Sequence, residues 1–274
     1  MHNGATKDTT ILVDAHVHIY DCFEIHRLLD AAYHNFKSAA TAQASDGKFL
    51  GVLMLTESFG YDCFSELREM ISGSAQQPGP WQFASLAEDE SALLARRTNG
   101  ERLIIISGRQ IVTAERIEVL AVATGLFIHD SLPLLEVLAN INSNGGLAIL
   151  PWGVGKWFGR RGDLIKKILH QFDAQNIFLG DIAGRPSFWP RPTIFRLADS
   201  KGIRILSGSD PLPLATEEAR PGSYGFWIKA TLSLGQPSQD LKQLLLNRDV
   251  AIHPYGRGEN ISRFIRNQLL LRYH

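Results

Sequence analysis

The stretch Ile11-Leu12-Val13-Asp14-Ala15-His16-Val17-His18 begins as an apolar run and ends in two histidines. Similar short runs, rich in β-branched residues and apolar throughout, recur at residues 49–55, 103–106, 147–150, 177–179 and 203–206. A run that is apolar at every position is typical of a strand that is covered on both faces. These runs therefore predict the core strands of the fold.

Segments with helical character separate these runs. They predict helices over residues 23–38, 64–72, 91–97, 132–142, 164–172, 192–199 and 241–246. One stretch breaks the alternation, because residues 111–113 and 117–122 have the character of two further strands and predict a hairpin. Strand and helix repeated six or seven times predict a βα-repeating fold, either a barrel or a doubly wound sheet. No low-complexity linker divides the chain, so we expect a single domain over residues 1–274.

The amino-acid composition argues against some classes of protein and favours others. Among 274 residues, 28 lysines and arginines balance 28 aspartates and glutamates, which argues against a chain-wide surface for nucleic acid or membranes. With 45% hydrophobic and 20% charged residues the chain can bury a substantial core. Only two cysteines, a polar segment over residues 1–10 and no long apolar run predict a cytoplasmic protein. The oligomeric state stays open.

The two histidines are the first candidate metal ligands. Side chains alternate along an extended chain, so His16 and His18 point the same way and can share one metal ion at the end of their strand. Asp14 lies in phase with them. The alternative for such a pair is a set of hydrogen bonds within a turn.

Two carboxylates follow other predicted strands. Asp210 ends the segment Ser207-Gly208-Ser209-Asp210, directly after a late apolar run, where a barrel enzyme places a metal ligand or a general base. Glu57 follows the run that ends at Leu55 and is a further candidate ligand. The alternatives are a turn cap for Asp210 and a solvated loop position for Glu57.

Basic residues follow several of the same strands and could bind an anion. Lys156 is a candidate for catalysis, and the candidates for substrate binding are Arg109, Arg160 and Arg185. Positive charge at these strand ends suits a small phosphorylated or carboxylated substrate. A solvated basic loop is the alternative for any one of them.

Four segments in order resemble the polymerase and histidinol phosphatase (PHP) superfamily of metal-dependent hydrolases. Asp14-Ala15-His16-Val17-His18 resembles its opening D-x-H-x-H, and Ser107-Gly108-Arg109-Gln110-Ile111 its G-x-E segment. Residues 145–151 resemble its G-G-hydrophobic-H-P strand, and Gly208-Ser209-Asp210 its G-S-D-x-H. The resemblance covers about residues 11–215 and implies a distorted TIM-like (β/α)7 barrel that hydrolyses phosphoesters with two or three metal ions.

Three ligand positions of that pattern are substituted in this chain. Gln110, Leu150 and Leu212 stand where the family has a glutamate and two histidines, and leucine has no donor atom for a cation. We therefore predict one divalent ion, zinc, manganese or iron, rather than three. The predicted function is hydrolysis of a small anionic ester, with Asp210 as ligand or proton acceptor. The alternatives are an amidohydrolase, which also opens with H-x-H and closes with an aspartate, and an inactive relative that only binds a ligand or partner.

Overall fold

The computed structural model describes residues 9–43, 48–73, 79–171 and 177–273, so most of the polar segment 1–10 lies outside the described residues. The strands within these ranges are β1 (Thr9–Val17), β2 (Phe49–Leu55), β3 (Gln82–Leu86), β4 (Asp89–Arg96), β5 (Arg102–Ile106), β6 (Gly108–Val112), β7 (Glu118–Val122), β8 (Leu147–Pro151), β9 (Phe178–Ile182), β10 (Ile205–Gly208), β11 (Gly225–Ala230) and β12 (His253–Tyr255). The helices are α1 (Ile25–Ala42), α2 (Cys63–Ser72), α3 (Leu134–Ser143), α4 (Arg160–Gln171), α5 (Thr193–Ser200), α6 (Pro237–Leu246) and α7 (Ile261–Tyr273).

The strands form two mixed sheets. The seven-stranded sheet has the order β12-β11-β1-β2-β5-β4-β3, and its central strands β1, β2 and β5 are parallel. The five-stranded sheet has the order β10-β9-β8-β7-β6, in which β10, β9 and β8 are parallel while β7 is antiparallel to both of its neighbours. All six apolar runs that predicted strands are confirmed, as is the hairpin, which is β6 and β7.

The predicted distorted TIM-like (β/α)7 barrel is wrong. The described residues form a seven-stranded and a five-stranded sheet and not one closed ring of parallel strands. Two hairpins, β3–β4 and β6–β7, and the antiparallel strands β11 and β12 interrupt the parallel crossovers that such a barrel requires. Apolar runs predict where strands lie, but they encode neither the direction of a strand nor its partner.

One predicted helix is also wrong, because residues 91–97 fall largely within β4. This strand pairs antiparallel with β5 and buries Ala92, Leu93 and Ala95. The alanines, leucines and arginines of the segment favour a helix locally, and the pairing with β5 overrides that preference. The other six predicted helices are confirmed, although Phe172, the last predicted residue of α4, lies outside the described residues.

The core explains why both faces of the central strands are apolar. Ile11, Met54 and Ile106 of the first sheet share one buried cluster with Phe178 and Leu206 of the second, so this cluster lies between the sheets. Two further buried clusters lie on the outer faces, one with residues of α1 and α2 and the other with residues of α3, α4 and α5. The parallel strands are thus enclosed by apolar side chains, and their carboxyl ends are left to carry polar groups.

None of the helices in the described part of the chain combines the length and the apolar character needed to cross a bilayer.

Candidate metal centre

Three side chains converge where β1 and β10 end. The Nε2 atoms of His16 and His18 are 3.0 Å apart, and Oδ1 of Asp210 lies 3.4 Å from the first and 3.5 Å from the second. Both histidines are buried, whereas the side chain of Asp210 is 22% exposed. Among the described residues, these three form the group of histidine, cysteine and acidic side chains whose donor atoms lie close enough to hold one ion.

Asp14 holds the two strands at the distance that brings these ligands together. Its carboxylate is fully buried and accepts the backbone N–H groups of Ser209 at 2.8 Å, Gly222 at 2.7 Å and His16 at 3.2 Å. The backbone N–H of Asp210 also donates to the carbonyl of His16 at 2.8 Å. Burial raises the pKa of Asp14 to about 6, although its N–H donors lower it. Asp14 is therefore a positioning residue and not a ligand.

The backbone beside the ligands has two unusual positions. A side chain on Gly208 would lie 2.5 Å from the Cβ of His16, so only glycine permits this approach of β10 to β1. Asp210 has a φ of 47°, in the left-handed region that residues other than glycine rarely adopt. Such a conformation costs on the order of 1 kcal/mol and persists where the surrounding contacts enforce it. Here it directs the Asp210 carboxylate at the two imidazoles.

The electrostatics of the cluster suit a cation. Burial lowers the pKa of His18 to about 3, assisted by the charges of His16 and Lys156 and opposed by Asp210. Burial alone would raise the pKa of Asp210, but the charges of the two histidines, followed by Lys156 and Arg220, bring it below its ordinary value. A neutral imidazole and an ionised carboxylate at neutral pH are the protonation states that metal binding requires.

The geometry also fits a metal ion. Ligand atoms about 2.0–2.1 Å from a tetrahedral zinc ion stand about 3.3–3.4 Å apart, and the three observed separations bracket that value. Nδ1 of His16 is buried and has no hydrogen-bond partner. A cation would bind Nε2 of His16, because this ring nitrogen faces His18 and Asp210.

Glu57, the fourth predicted ligand, lies outside this cluster. It is buried just after β2, where Oε1 accepts the backbone N–H of Phe64 at 2.8 Å, close to the start of α2. Its backbone forms a bridge with Arg109 of β6, which links the two sheets. Burial raises the pKa of Glu57 to about 7. The residue is held in place by the first turn of α2 and is not one of the three convergent donors.

Lys156 lies in the loop after β8 and acts on the cluster through its charge. Its Nζ is 2.5 Å from Oε1 of Glu118, a partner on β7 that the sequence did not suggest. The side chain is about half exposed, and its charge contributes to the lowered pKa of both His18 and Asp210. Lys156 is therefore paired with Glu118 and accessible to a solute.

The three predicted anion-binding arginines do not converge on one point. Arg109 contacts Asp62 at 3.3 Å, and its guanidinium lies 5.0 Å from the ring centre of Phe127. Arg185 makes two 2.7 Å hydrogen bonds to Asp181, which raise its pKa and balance its charge. Arg160 is exposed at the start of α4.

Arg185 faces a different part of the surface. Together with Tyr224, Ser207 and Arg191 it lines a cavity of about 650 Å³, and none of the three convergent residues is part of that lining. The hydroxyl of Tyr224 donates to Asp181 at 2.8 Å, which completes the network around Arg185. The sequence could not reveal that Asp181 balances the charge of Arg185, because this pairing depends on the direction in which each side chain points.

Gln110, Leu150 and Leu212, at which the chain departs from the PHP pattern, lie outside the group of convergent donors. Leu150 is fully buried in the apolar cluster beneath α3, α4 and α5, and Gln110 is half-buried on β6. Leu212 is half-buried in the segment after β10. The described residues therefore provide one convergent set of three donors and not a set for several ions.

Comparisons with known proteins show a similar fold in a solved structure but do not show the activity of this chain. No protein-family model and no curated protein matches the chain. Among solved structures, PsfC from Pseudomonas syringae PB-5123 is similar with a TM-score of 0.53 and 14% identity, over 97% of this chain and 98% of PsfC. At this identity the likeness concerns the fold alone.

Two further neighbours have TM-scores of 0.48. One is a two-domain protein from Bacteroides vulgatus containing a predicted PHP-like metal-dependent phosphoesterase, with 15% identity over 91% of this chain and 66% of that protein. The other is the lesion-specific endonuclease PfuEndoQ from Pyrococcus furiosus, with 11% identity over 86% of this chain and 56% of that enzyme. The chain thus spans less than two thirds of either protein.

Proposed function

We propose that this protein is a metal-dependent hydrolase of a small anionic ester, most simply a phosphoester. His16, His18 and Asp210 would hold one divalent cation. The observation that carries the proposal is the convergence of their three donor atoms, at separations of 3.0 to 3.5 Å, from two strands of different sheets. The resemblance of residues 14–18 and 208–210 to the PHP motifs supports the same conclusion.

The reaction needs a nucleophile, a proton acceptor and a positive charge near the ester. A bound divalent ion supplies Lewis acidity and lowers the pKa of coordinated water from 15.7 towards about 7. The partly exposed carboxylate of Asp210 can accept a proton, because its lowered pKa keeps it ionised at neutral pH. Lys156 would neutralise charge on the substrate by exchanging its ion pair with Glu118 for the anionic group of the ester, since its side chain is about half exposed.

The donor set limits the choice of ion. Two imidazoles and one carboxylate suit zinc, iron or manganese better than magnesium or calcium, which prefer oxygen ligands alone. Three protein ligands also leave at least one position for water or substrate, as in catalytic rather than structural zinc sites. We propose a single ion, because the described residues offer only this one group of donors.

Elemental analysis of protein purified without chelator tests the proposal. We expect about one equivalent of a transition metal in the unaltered protein and none in the double variant His16→Ala, His18→Ala. The matched control is His129→Ala, His253→Ala, which removes two exposed imidazoles elsewhere and should retain the metal. Removal of the metal should lower the melting temperature, because a ligand present at 100 times its dissociation constant stabilises the folded state by about 2.7 kcal/mol.

A panel of phosphomonoesters, phosphodiesters, carboxylic esters and amides then tests the activity. Hydrolysis of a phosphoester that needs both the metal and the two histidines supports the proposal. Hydrolysis of amides alone would support the amidohydrolase alternative instead. A protein that holds its metal and hydrolyses none of the panel would contradict the proposal in favour of a binding protein.

A further inference from the structure

A cavity lined by aromatic side chains adjoins the loop that carries Lys156. Its volume is about 340 Å³, at the lower end of the range of about 300–1,000 Å³ that is usual for ligand sites. We call it the aromatic cavity, and its aromatic lining consists of Trp152, Trp157, Phe158 and Trp189. Three of the five tryptophans of the chain thus lie around one small space.

Three of these rings pack edge-to-face against neighbouring aromatic rings. Trp152 follows β8 and Trp189 belongs to the loop after β9, and their ring centres are 6.3 Å apart in a T-shaped arrangement. Trp157 packs edge-on against Phe195 of α5 at 5.7 Å. Aromatic side chains that line a cavity attract a further planar ring through offset-stacked or edge-to-face contacts.

Core packing accounts for part of this arrangement but not for all of it. Trp152 is buried and belongs to the apolar cluster beneath α3, α4 and α5. Phe158, in contrast, is 63% exposed although it lies at the rim of the same space. A large aromatic side chain that faces solvent beside a cavity is available to contact a ligand.

One loop joins the aromatic cavity to the candidate metal centre. Gly153 lines the cavity, and a side chain at this position would meet the aliphatic part of Lys156. Strands β8, β9 and β10 run parallel, so Trp152, Trp189 and Asp210 all follow strands that end at the same edge of the five-stranded sheet. A substrate with its anionic group near Lys156 could therefore extend a ring along the same loop into the cavity.

We propose that the aromatic cavity binds a planar aromatic group of the substrate, so that the substrate is an aromatic phosphoester. This inference rests on the proposed function and names the substrate class. Lys166 and Arg191 at the cavity wall are each paired with an aspartate, Asp163 and Asp199, so they add little free charge. Recognition there depends on ring contacts, while the anionic group is recognised at the candidate metal centre.

Tryptophan fluorescence tests this binding without any turnover. The probe is 4-nitrobenzylphosphonate, a stable aromatic anion whose nitro-aromatic ring quenches nearby indoles, and methylphosphonate is the probe without a ring. We expect saturable quenching by the first probe and none by the second, with and without chelator. Phe158→Ala should lower the affinity for the aromatic probe about three- to tenfold, as expected for one lost ring contact. Phe59→Ala removes an exposed ring elsewhere and should leave the affinity for the aromatic probe unchanged.

A second variant fills the space in place of removing a contact. Thr193 is exposed at the start of α5 and lines the cavity, so Thr193→Phe should reduce binding of the aromatic probe without disturbing the core. Hydrolysis of phenyl phosphate and glycerol phosphate is measured in parallel. Equal kcat/KM for both, with no quenching, would overturn this inference and leave the proposed function intact. Saturable quenching without any hydrolysis would support the cavity and contradict the proposed function.

Discussion

Replacing Gly208 by alanine tests whether the close approach of β10 to β1 holds the three donor atoms together. The added Cβ would lie 2.5 Å from the Cβ of His16, whereas ordinary contact begins at 3.4 Å. The two strands must therefore separate by roughly 1 Å, and overpacking of this kind costs about 1–3 kcal/mol. Because Asp210 follows two residues later, its carboxylate moves away from the imidazoles together with β10.

We expect the melting temperature of the Gly208→Ala protein, followed by circular dichroism, to fall by about 2–10 °C. Its affinity for zinc, measured by equilibrium dialysis, should fall at least about tenfold, since a ligand site tolerates displacements of only about 0.5 Å. Gly125→Ala is the control, because no atom lies within 4 Å of its added Cβ. A Gly208→Ala protein that matches this control in both measurements would refute the reasoning.

Three further predictions concern buried groups. Asp14→Asn should lower the free energy of unfolding in urea by about 1–3 kcal/mol and weaken metal binding, because an amide NH2 must then face a backbone N–H. Unchanged metal affinity would contradict its positioning role. Burial alone would raise the pKa of Glu217, but neighbouring arginines bring it below its ordinary value. The ionised carboxylate therefore stabilises the fold above about pH 4.5. This stabilisation is lost as the pH falls through the pKa of the folded state. Glu217→Gln should flatten the acid limb of the curve of stability against pH, whereas the exposed Glu90→Gln should leave it as steep as in the unaltered protein. Trp81→Ala should cost about 3–5 kcal/mol in urea unfolding, since the ring is fully buried and its Nε1–H donates to Asp30 at 2.7 Å; a loss below 1 kcal/mol would show that the surroundings refill the space.

Eight of the twelve described strands were predictable because each is recorded locally as an apolar run, whereas β3, β4, β11 and β12 were not predicted as strands. The runs at residues 11–13 and 49–55 need no knowledge of the rest of the chain to be recognised. The direction and the partner of a strand are not recorded in this way. For this reason the predicted barrel was wrong, and most of the helix predicted over residues 91–97 lies in strand β4. A short segment of leucine and alanine is helical or extended according to what lies beside it.

The candidate ligands were predictable in part. His16 and His18 share a side because of the alternation along β1, and Asp210 follows a late strand, so all three could be named beforehand. The pairing of Lys156 with Glu118 and the backbone contacts of Asp14 could not, since they join residues that are 38 and up to 208 positions apart. Such contacts arise from the assembled fold and have no local pattern.

The hydrogen bond from the Ser209 N–H to Asp14 joins residues 195 positions apart, and this has a consequence during synthesis. At about 5–20 residues per second, the first strand leaves the ribosome roughly 10–40 s before its distant partner. A nascent chain therefore displays both imidazoles for that interval without the carboxylate that completes the set. If the proposed metal site exists, loading with metal follows the synthesis of β10 and Asp210, and an N-terminal fragment that stops before β10 should remain metal-poor however well its own strands pair.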